Sequence, residues 1–142
     1  MKPVVVDASI AVLWFAKEAG SDRAATLLEE DAVLLAPDLM PIEAANALWK
    51  KSARKEIEPS LVEQSLVNLL ALDLTLVPSR DLLVESYRLA AACRHPVYDC
   101  LYLALARERE ALLATVDREL QEVAKSLPGK PVKLWAAPAG HG

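Results

Sequence analysis

The chain has 142 residues, of which 54% are apolar and 25% charged, so it can bury a core and is not intrinsically disordered as a whole. Its formal net charge of −4 argues against a passive nucleic-acid coat, but not against an enzyme that acts on nucleic acid through a bound cation. Two cysteines exclude a disulfide scaffold, and charges break every apolar run well short of the ~18 residues of a membrane span. The first residues do not resemble a signal peptide, so we expect a soluble, cytoplasmic protein.

Short apolar runs alternate along the chain with segments of helical spacing. The predicted strands are 1–6, 33–36, 74–77, 112–116 and 131–135. The predicted helices are 8–16, one beginning at 21, 39–55 after an N-cap at Asp38, one beginning at Pro59, 79–93 capped by Ser79, 98–110 and 118–126. Strands that are apolar throughout are typical of a parallel sheet with helices on both faces. We therefore predict one α/β domain over residues 1–135 and a flexible C-terminal tail over 136–142.

Four carboxylates differ from the other acidic residues, most of which lie among charges on predicted helix faces. Asp7 and Asp117 directly follow predicted strands, and sites in parallel sheets lie beyond the carboxyl ends of strands. Glu43 and Asp99 lie on predicted helices among apolar neighbours, where an unpaired carboxylate is costly to bury. Each also has an ordinary interpretation: the three aspartates suit helix N-termini, and Glu43 could reach water from the edge of its face.

The four carboxylates would need a cation if the fold brings them together. Two like charges ~5 Å apart repel by roughly 3 kcal/mol at an effective dielectric of 20. Ligands that are all oxygen favour Mg²⁺ or Mn²⁺, and such a cluster suits phosphodiester hydrolysis because the metal activates water and polarises the phosphate. The sequence offers neither a zinc ligand set nor a glycine-rich phosphate loop.

Four motifs resemble the PIN-domain family, and within it the VapC-type toxins of toxin–antitoxin pairs. They are VVVDASIAV with Asp7 and Ser9, PIEAANALWK with Glu43 and Asn46, HPVYDCLYLALA with Asp99, and LLATVDREL with Thr115 and Asp117. They follow one another in order over nearly the whole chain, and no acidic position is missing. The resemblance implies a three-layer α/β/α sandwich with a central parallel sheet of about five strands. It also implies a homodimer and a small antitoxin partner.

The same resemblance implies a magnesium- or manganese-dependent endoribonuclease that hydrolyses RNA phosphodiesters through a metal-activated water. The catalytic metal ligands would be Asp7, Glu43, Asp99 and Asp117. The polar residues that would orient these ligands are Ser9, Asn46 and Thr115. The basic residues that could meet the RNA backbone are Arg80, Arg94, His95 and Arg118, although basic side chains are more often simply solvated.

Three alternatives remain on the sequence alone. The first is a PIN-like module that binds RNA or protein without cutting it. A phosphatase of the haloacid-dehalogenase type would have a second aspartate two residues after the first, where this chain has Ser9. A phosphorylation receiver domain would have an acidic neighbour beside Asp7, which is also missing.

Overall fold

Four parallel strands form the sheet of this protein, seen in a computed structural model that describes residues 1–138. The strands are β1 (Lys2–Val6), β2 (Ala32–Pro37), β3 (Leu74–Val77) and β4 (Leu112–Ala114). Their order across the sheet is β3-β2-β1-β4. Four of the five predicted strands are therefore confirmed, although β4 ends at Ala114 and not at Val116.

The fifth predicted strand, 131–135, is wrong as an element. It forms a single parallel bridge between Leu113 and Leu134. The backbone N–H of Leu113 donates to Lys133, and that of Trp135 donates to Leu113. Because β4 is only three residues long, it presents one residue to this segment, and no ladder can extend from it.

Seven α-helices surround the sheet in the part of the chain that the structure describes. They are α1 (Ala8–Phe15), α2 (Ser21–Glu29), α3 (Met40–Ala53), α4 (Pro59–Ala71), α5 (Leu83–Cys93), α6 (Val97–Glu108) and α7 (Arg118–Lys125). Proline occupies the first turn of α4, as predicted. Residues 136–138 carry no helix or strand, and the remainder of the predicted tail, 139–142, lies outside the described residues.

Two predicted N-caps are wrong, because their side chains bond to each other across the chain. Oδ1 of Asp38 accepts from the backbone N–H of Ser79 at 3.0 Å and from its hydroxyl at 2.6 Å. These bonds lower the pKa of Asp38. Leu39 takes the N-cap position of α3, and Ser79 begins a 3₁₀ turn that ends at Leu82, so the predicted helix 79–93 is really this turn followed by α5.

Alternating strand residues pack into two cores, one on each face of the sheet. Val5 packs on the face that α3, α5, α6 and α7 cover, together with Leu35 and Leu113. Val4 and Val6 face the opposite way, toward apolar residues of α1 and α2. The three-layer α/β/α arrangement predicted from the sequence is thereby confirmed.

Helix α6 lies deepest of the helices described. Every residue from Cys100 to Ala106 is buried, and Tyr102, at its centre, is fully buried. Its first turn is less buried, since it carries the exposed Tyr98 and the partly exposed Asp99. No helix within residues 1–138 has the length and apolar content needed to cross a membrane.

The strand order reverses at β1. The chain proceeds outward from β1 through β2 to β3, and then returns to place β4 on the other side of β1. The backbone N–H of Asp7 donates to Ala114 at 3.0 Å, so the carboxyl ends of β1 and β4 are joined side by side. In open α/β sheets such a reversal creates a crevice in which ligands bind.

Candidate active site

Asp7 lies immediately after β1, where the strand order reverses. It occupies the N-cap position of α1, yet its side chain makes no capping bond. Its Oδ2 accepts from the hydroxyl of Ser9 at 3.0 Å and from the hydroxyl of Thr115 at 2.5 Å. The residue is only 7% exposed. The ordinary interpretation, a helix cap, therefore does not describe this aspartate.

Both hydroxyls that bind Asp7 are themselves oriented by backbone groups. Oγ of Ser9 accepts from the N–H of Val116 at 3.1 Å, and Oγ1 of Thr115 accepts from the N–H of Asp117 at 3.0 Å. Each hydroxyl therefore accepts one backbone N–H and donates its own proton to the carboxylate of Asp7. Two residues that lie far apart in the chain, Ser9 and Thr115, thus fix one carboxyl group.

Glu43 projects from the first turn of α3 and is half-buried. Its Oε1 accepts a hydrogen bond of 2.5 Å from the hydroxyl of Tyr102, which comes from α6. Asp99 lies in the first turn of α6, with its side chain 28% exposed. Oδ2 of Asp99 is 2.7 Å from Nε2 of His95, one turn earlier in the chain.

The carboxyl groups of Asp7, Glu43 and Asp99 are close enough to act on one another electrostatically. Burial raises the pKa of Asp7, the Thr115 and Ser9 hydroxyls oppose that shift, and the charge on Asp99 adds to it. Burial also raises the pKa of Glu43; its bond from Tyr102 opposes the shift, and the charges on Asp7 and Asp99 reinforce it. Raised carboxyl pKa values that combine burial with like charges are characteristic of functional sites.

Asp117 occupies a different environment. Its side chain caps α7, where Oδ1 accepts from the backbone N–H groups of Glu119 at 2.9 Å and Leu120 at 3.2 Å. It is exposed. Its backbone is connected to the site through Thr115, but its carboxylate is engaged at the helix terminus. The structure therefore groups three of the four predicted acids, and the fourth lies beside them as a cap.

The predicted ligand-orienting residue Asn46 and the predicted basic residues differ in how exposed they are. Asn46 is exposed and lines a cleft with Glu43. Arg80, Arg94 and Arg118 are exposed, as contacts with RNA would require. His95 is not: its side chain is 4% exposed and engaged with Asp99. The structure thus places His95 within the acid cluster, where it has almost no surface to offer to RNA.

The cleft beside Glu43 contains residues that the sequence reasoning missed. It has a volume of about 500 Å³ and includes Lys50 and Tyr98. Lys50 lies two helical turns after Glu43, so helical spacing alone could have assigned it to the same face. Tyr102 was missed as well, because no local pattern indicates that a tyrosine on α6 meets a glutamate on α3.

The chemistry of the donors fits a hard divalent cation. Three carboxylates that share a partly buried site repel one another, and a cation with oxygen ligands relieves that repulsion. Within residues 1–138, however, no three His, Cys, Asp or Glu side chains are already grouped as a ligand set. Asp7, Glu43 and Asp99 are the residues that would hold such an ion.

Comparison with known proteins identifies the family. The PIN domain family matches residues 4–126. Ribonuclease VapC3 from Pyrobaculum aerophilum is 32% identical over 122 residues, which cover 84% of this chain and 92% of that protein. The crystal structure of PAE2754 from Pyrobaculum aerophilum aligns with a TM-score of 0.65 at 27% identity, over 86% of this chain and 79% of that one. This chain therefore belongs to the PIN domain family, and the resemblance inferred from its four motifs is confirmed.

Proposed function

We propose that this protein is a magnesium- or manganese-dependent endoribonuclease and the toxin of a toxin–antitoxin pair. The observation that carries the proposal is the grouping of Asp7, Glu43 and Asp99 at the point where the strand order reverses. Membership of the PIN domain family and the similarity to a protein named a ribonuclease support the same reading. The proposal also includes a cytoplasmic location, where the protein would encounter its RNA substrate.

In this proposal Asp7, Glu43 and Asp99 would hold the cation, and Asp117 would assist them. The bound ion would supply Lewis acidity for the phosphate and lower the pKa of the attacking water. The protein supplies placement: Ser9 and Thr115 fix the carboxylate of Asp7. Asn46 and Lys50 line the adjoining cleft, where a lysine could meet a phosphate. The exposed Arg80, Arg94 and Arg118 would contact the RNA backbone further out.

We also propose a homodimer. Large apolar side chains remain exposed where α3, α5 and α6 meet, among them Ile42 at 66%, Leu83 at 54% and Tyr98 at 65%. Together they line a cleft of about 390 Å³ that continues toward Glu43. A second copy on this face would bury the patch beside the active site, and light scattering should then give twice the mass of 15.5 kDa. A small antitoxin would be the other partner, as in VapC-type pairs.

The test of the nuclease is cleavage of a mixed RNA pool by purified protein with Mg²⁺, with Mn²⁺ and with EDTA. Asp7→Asn and Asp99→Asn should abolish cleavage. Asp73→Asn is the matched control, since Asp73 is exposed and precedes β3, at the opposite edge of the sheet. We expect wild-type protein and the Asp73→Asn control to cleave RNA with Mg²⁺ or Mn²⁺ and not with EDTA. The Asp7→Asn and Asp99→Asn variants should not cleave RNA under any of these conditions.

The alternative is a PIN-like module that binds RNA or protein without cutting. That reading would be favoured by folded wild-type protein that neither cleaves the pool nor binds Mn²⁺ in calorimetry. Metal binding without cleavage would instead indicate an RNA target missing from the pool. The three coupled carboxylates favour the nuclease, because a module that only binds gains nothing from their mutual repulsion.

A further inference from the structure

Two of the site's carboxylates each have a buried hydrogen-bond donor from the segment around α6. Tyr102 donates to Oε1 of Glu43 at 2.5 Å, and Nε2 of His95 lies 2.7 Å from Oδ2 of Asp99. Tyr102 is fully buried and the His95 side chain is 4% exposed. Both donors therefore occupy positions that RNA cannot reach.

The two bonds act on side chains that would otherwise be free to rotate. A glutamate has three side-chain torsions and an aspartate two, and fixing them costs conformational entropy. The packing of α6 holds Tyr102 in place, so the hydrogen bond from its hydroxyl limits the rotation of the Glu43 side chain. The bond also crosses from α6 to α3, and it therefore sets the position of Glu43 relative to the helix that carries Asp99.

His95 is also held on its other side. Its backbone N–H donates to Ala90 at 3.3 Å, and its carbonyl accepts from the thiol of Cys100 at 3.8 Å. Nδ1 lies 3.7 Å from Oε1 of Glu119, which is too long for a hydrogen bond. Nε2 is the ring nitrogen that faces Asp99, and donation to that carboxylate requires the proton on Nε2.

We propose that Tyr102 and His95 are positioning residues, which hold Glu43 and Asp99 in the orientation that a divalent cation shared with Asp7 requires. The inference rests on the proposed metal-dependent function and deepens it. It assigns to His95 a role in organising the site, in place of the RNA contact expected from the sequence. It gives Tyr102 a role beyond that of a core side chain.

The experiment separates the donor atoms from the bulk of the side chains. Tyr102→Phe removes one hydroxyl and keeps the ring. His95→Leu removes the donor, and His95→Gln is its matched control, since the glutamine amide can still donate to Asp99. Calorimetry measures Mn²⁺ binding to each metal-free protein, and thermal unfolding in EDTA establishes that each variant is folded.

We expect Tyr102→Phe and His95→Leu to bind Mn²⁺ about 10- to 100-fold more weakly, the usual effect of losing a partner of a metal ligand. His95→Gln should bind nearly as well as wild type. In RNA cleavage at limiting Mn²⁺, kcat should fall in the two weakened variants while KM stays constant, because neither residue touches RNA.

Folded Tyr102→Phe and His95→Leu variants with wild-type affinity for Mn²⁺ would overturn the positioning role and leave the nuclease proposal intact. Equal loss in His95→Leu and His95→Gln would overturn it for His95, because the donor would then not be what matters. Wild-type protein that binds no Mn²⁺ would overturn both proposals, so the two kinds of failure can be told apart.

Discussion

The hydroxyl of Thr115 lies 2.5 Å from Oδ2 of Asp7, although 108 residues separate them in the chain. The hydroxyl oxygen of Thr115 also accepts the backbone N–H of Asp117. Thr115 thus connects the end of β4 to the carboxylate that ends β1. One side chain thereby links the segments that follow the two strands.

Thr115→Val should destabilise the protein by about 1.5–3 kcal/mol, the usual contribution of a hydrogen bond to a charged group. Valine has nearly the same shape, so packing is retained while Asp7 loses a donor and the N–H of Asp117 loses an acceptor. Denaturant unfolding in EDTA measures the change. Thr115→Ser is the control, since it keeps the hydroxyl; the interpretation fails if serine is as damaging as valine.

Asp7→Asn should stabilise the metal-free protein at neutral pH. The native pKa of Asp7 is raised above the ordinary value of 3.8, mainly by burial. In the pH range between these two values the folded state holds a proton that the unfolded chain releases, so wild-type stability falls as pH rises through that range. Above it, the folded protein bears the full cost of a buried charge that asparagine does not carry.

The gain from Asp7→Asn should therefore disappear as the pH is lowered to about 4, where the aspartate is increasingly protonated in both states. Unfolding by denaturant in EDTA at several pH values measures this. The same gain at neutral and acid pH would contradict the assignment of the effect to the ionised carboxylate. Excess Mn²⁺ should reverse the order of stability at neutral pH, because the cation stabilises only the protein that binds it.

Substitution of Asp117 can separate its capping role from its proposed catalytic role. Asp117→Ala should cost about 1 kcal/mol of stability, because α7 loses its N-cap. Asp117→Asn should keep that stability, since asparagine caps equally well. If the carboxylate also helps to hold the cation, Asp117→Asn should still lose about 10-fold or more of the RNA cleavage. Full activity in Asp117→Asn would leave Asp117 as a cap alone.

Lys55→Gly should raise stability by about 0.5–1 kcal/mol, because the relief of a left-handed backbone exceeds the entropic cost of glycine. Lys55 follows α3 with a φ of 62°, a left-handed conformation that a side chain disfavours. Its N–H donates to Ser52 and the next N–H donates to Lys51, the pattern of a helix end at which glycine is preferred. Thermal unfolding measures the stability of Lys55→Gly and of the control Lys55→Ala, which removes the amine but keeps Cβ. A comparable gain with alanine would show that the backbone conformation is not the cause.

Local patterns in the sequence predicted the parts of this fold that local chemistry decides. Apolar runs gave β1 to β4 within two residues at either end, and the position of Asp7 after a strand placed it at the crevice. The fifth strand failed because its pairing depends on the length of β4, which no feature of 131–135 reveals. The caps at Asp38 and Ser79 failed because each is the other's partner across 41 residues.

The sequence likewise indicated some residues of the candidate site and not others. Its acids could be found because they stand out against apolar neighbours or strand ends. The donors that hold them could not, since Tyr102 looks like any core aromatic until α3 is packed against α6. His95 illustrates the opposite error. Its basic character suggested a surface role, whereas the fold buries it beside Asp99.

The placement of β4 beside β1 affects the order in which the site can form during synthesis. A nascent chain that still has residues 112–117 inside the ribosome has β1 without one of its two neighbours, and Asp7 without the Thr115 hydroxyl. Most of the polypeptide must therefore be synthesised before the first acid is locked in place.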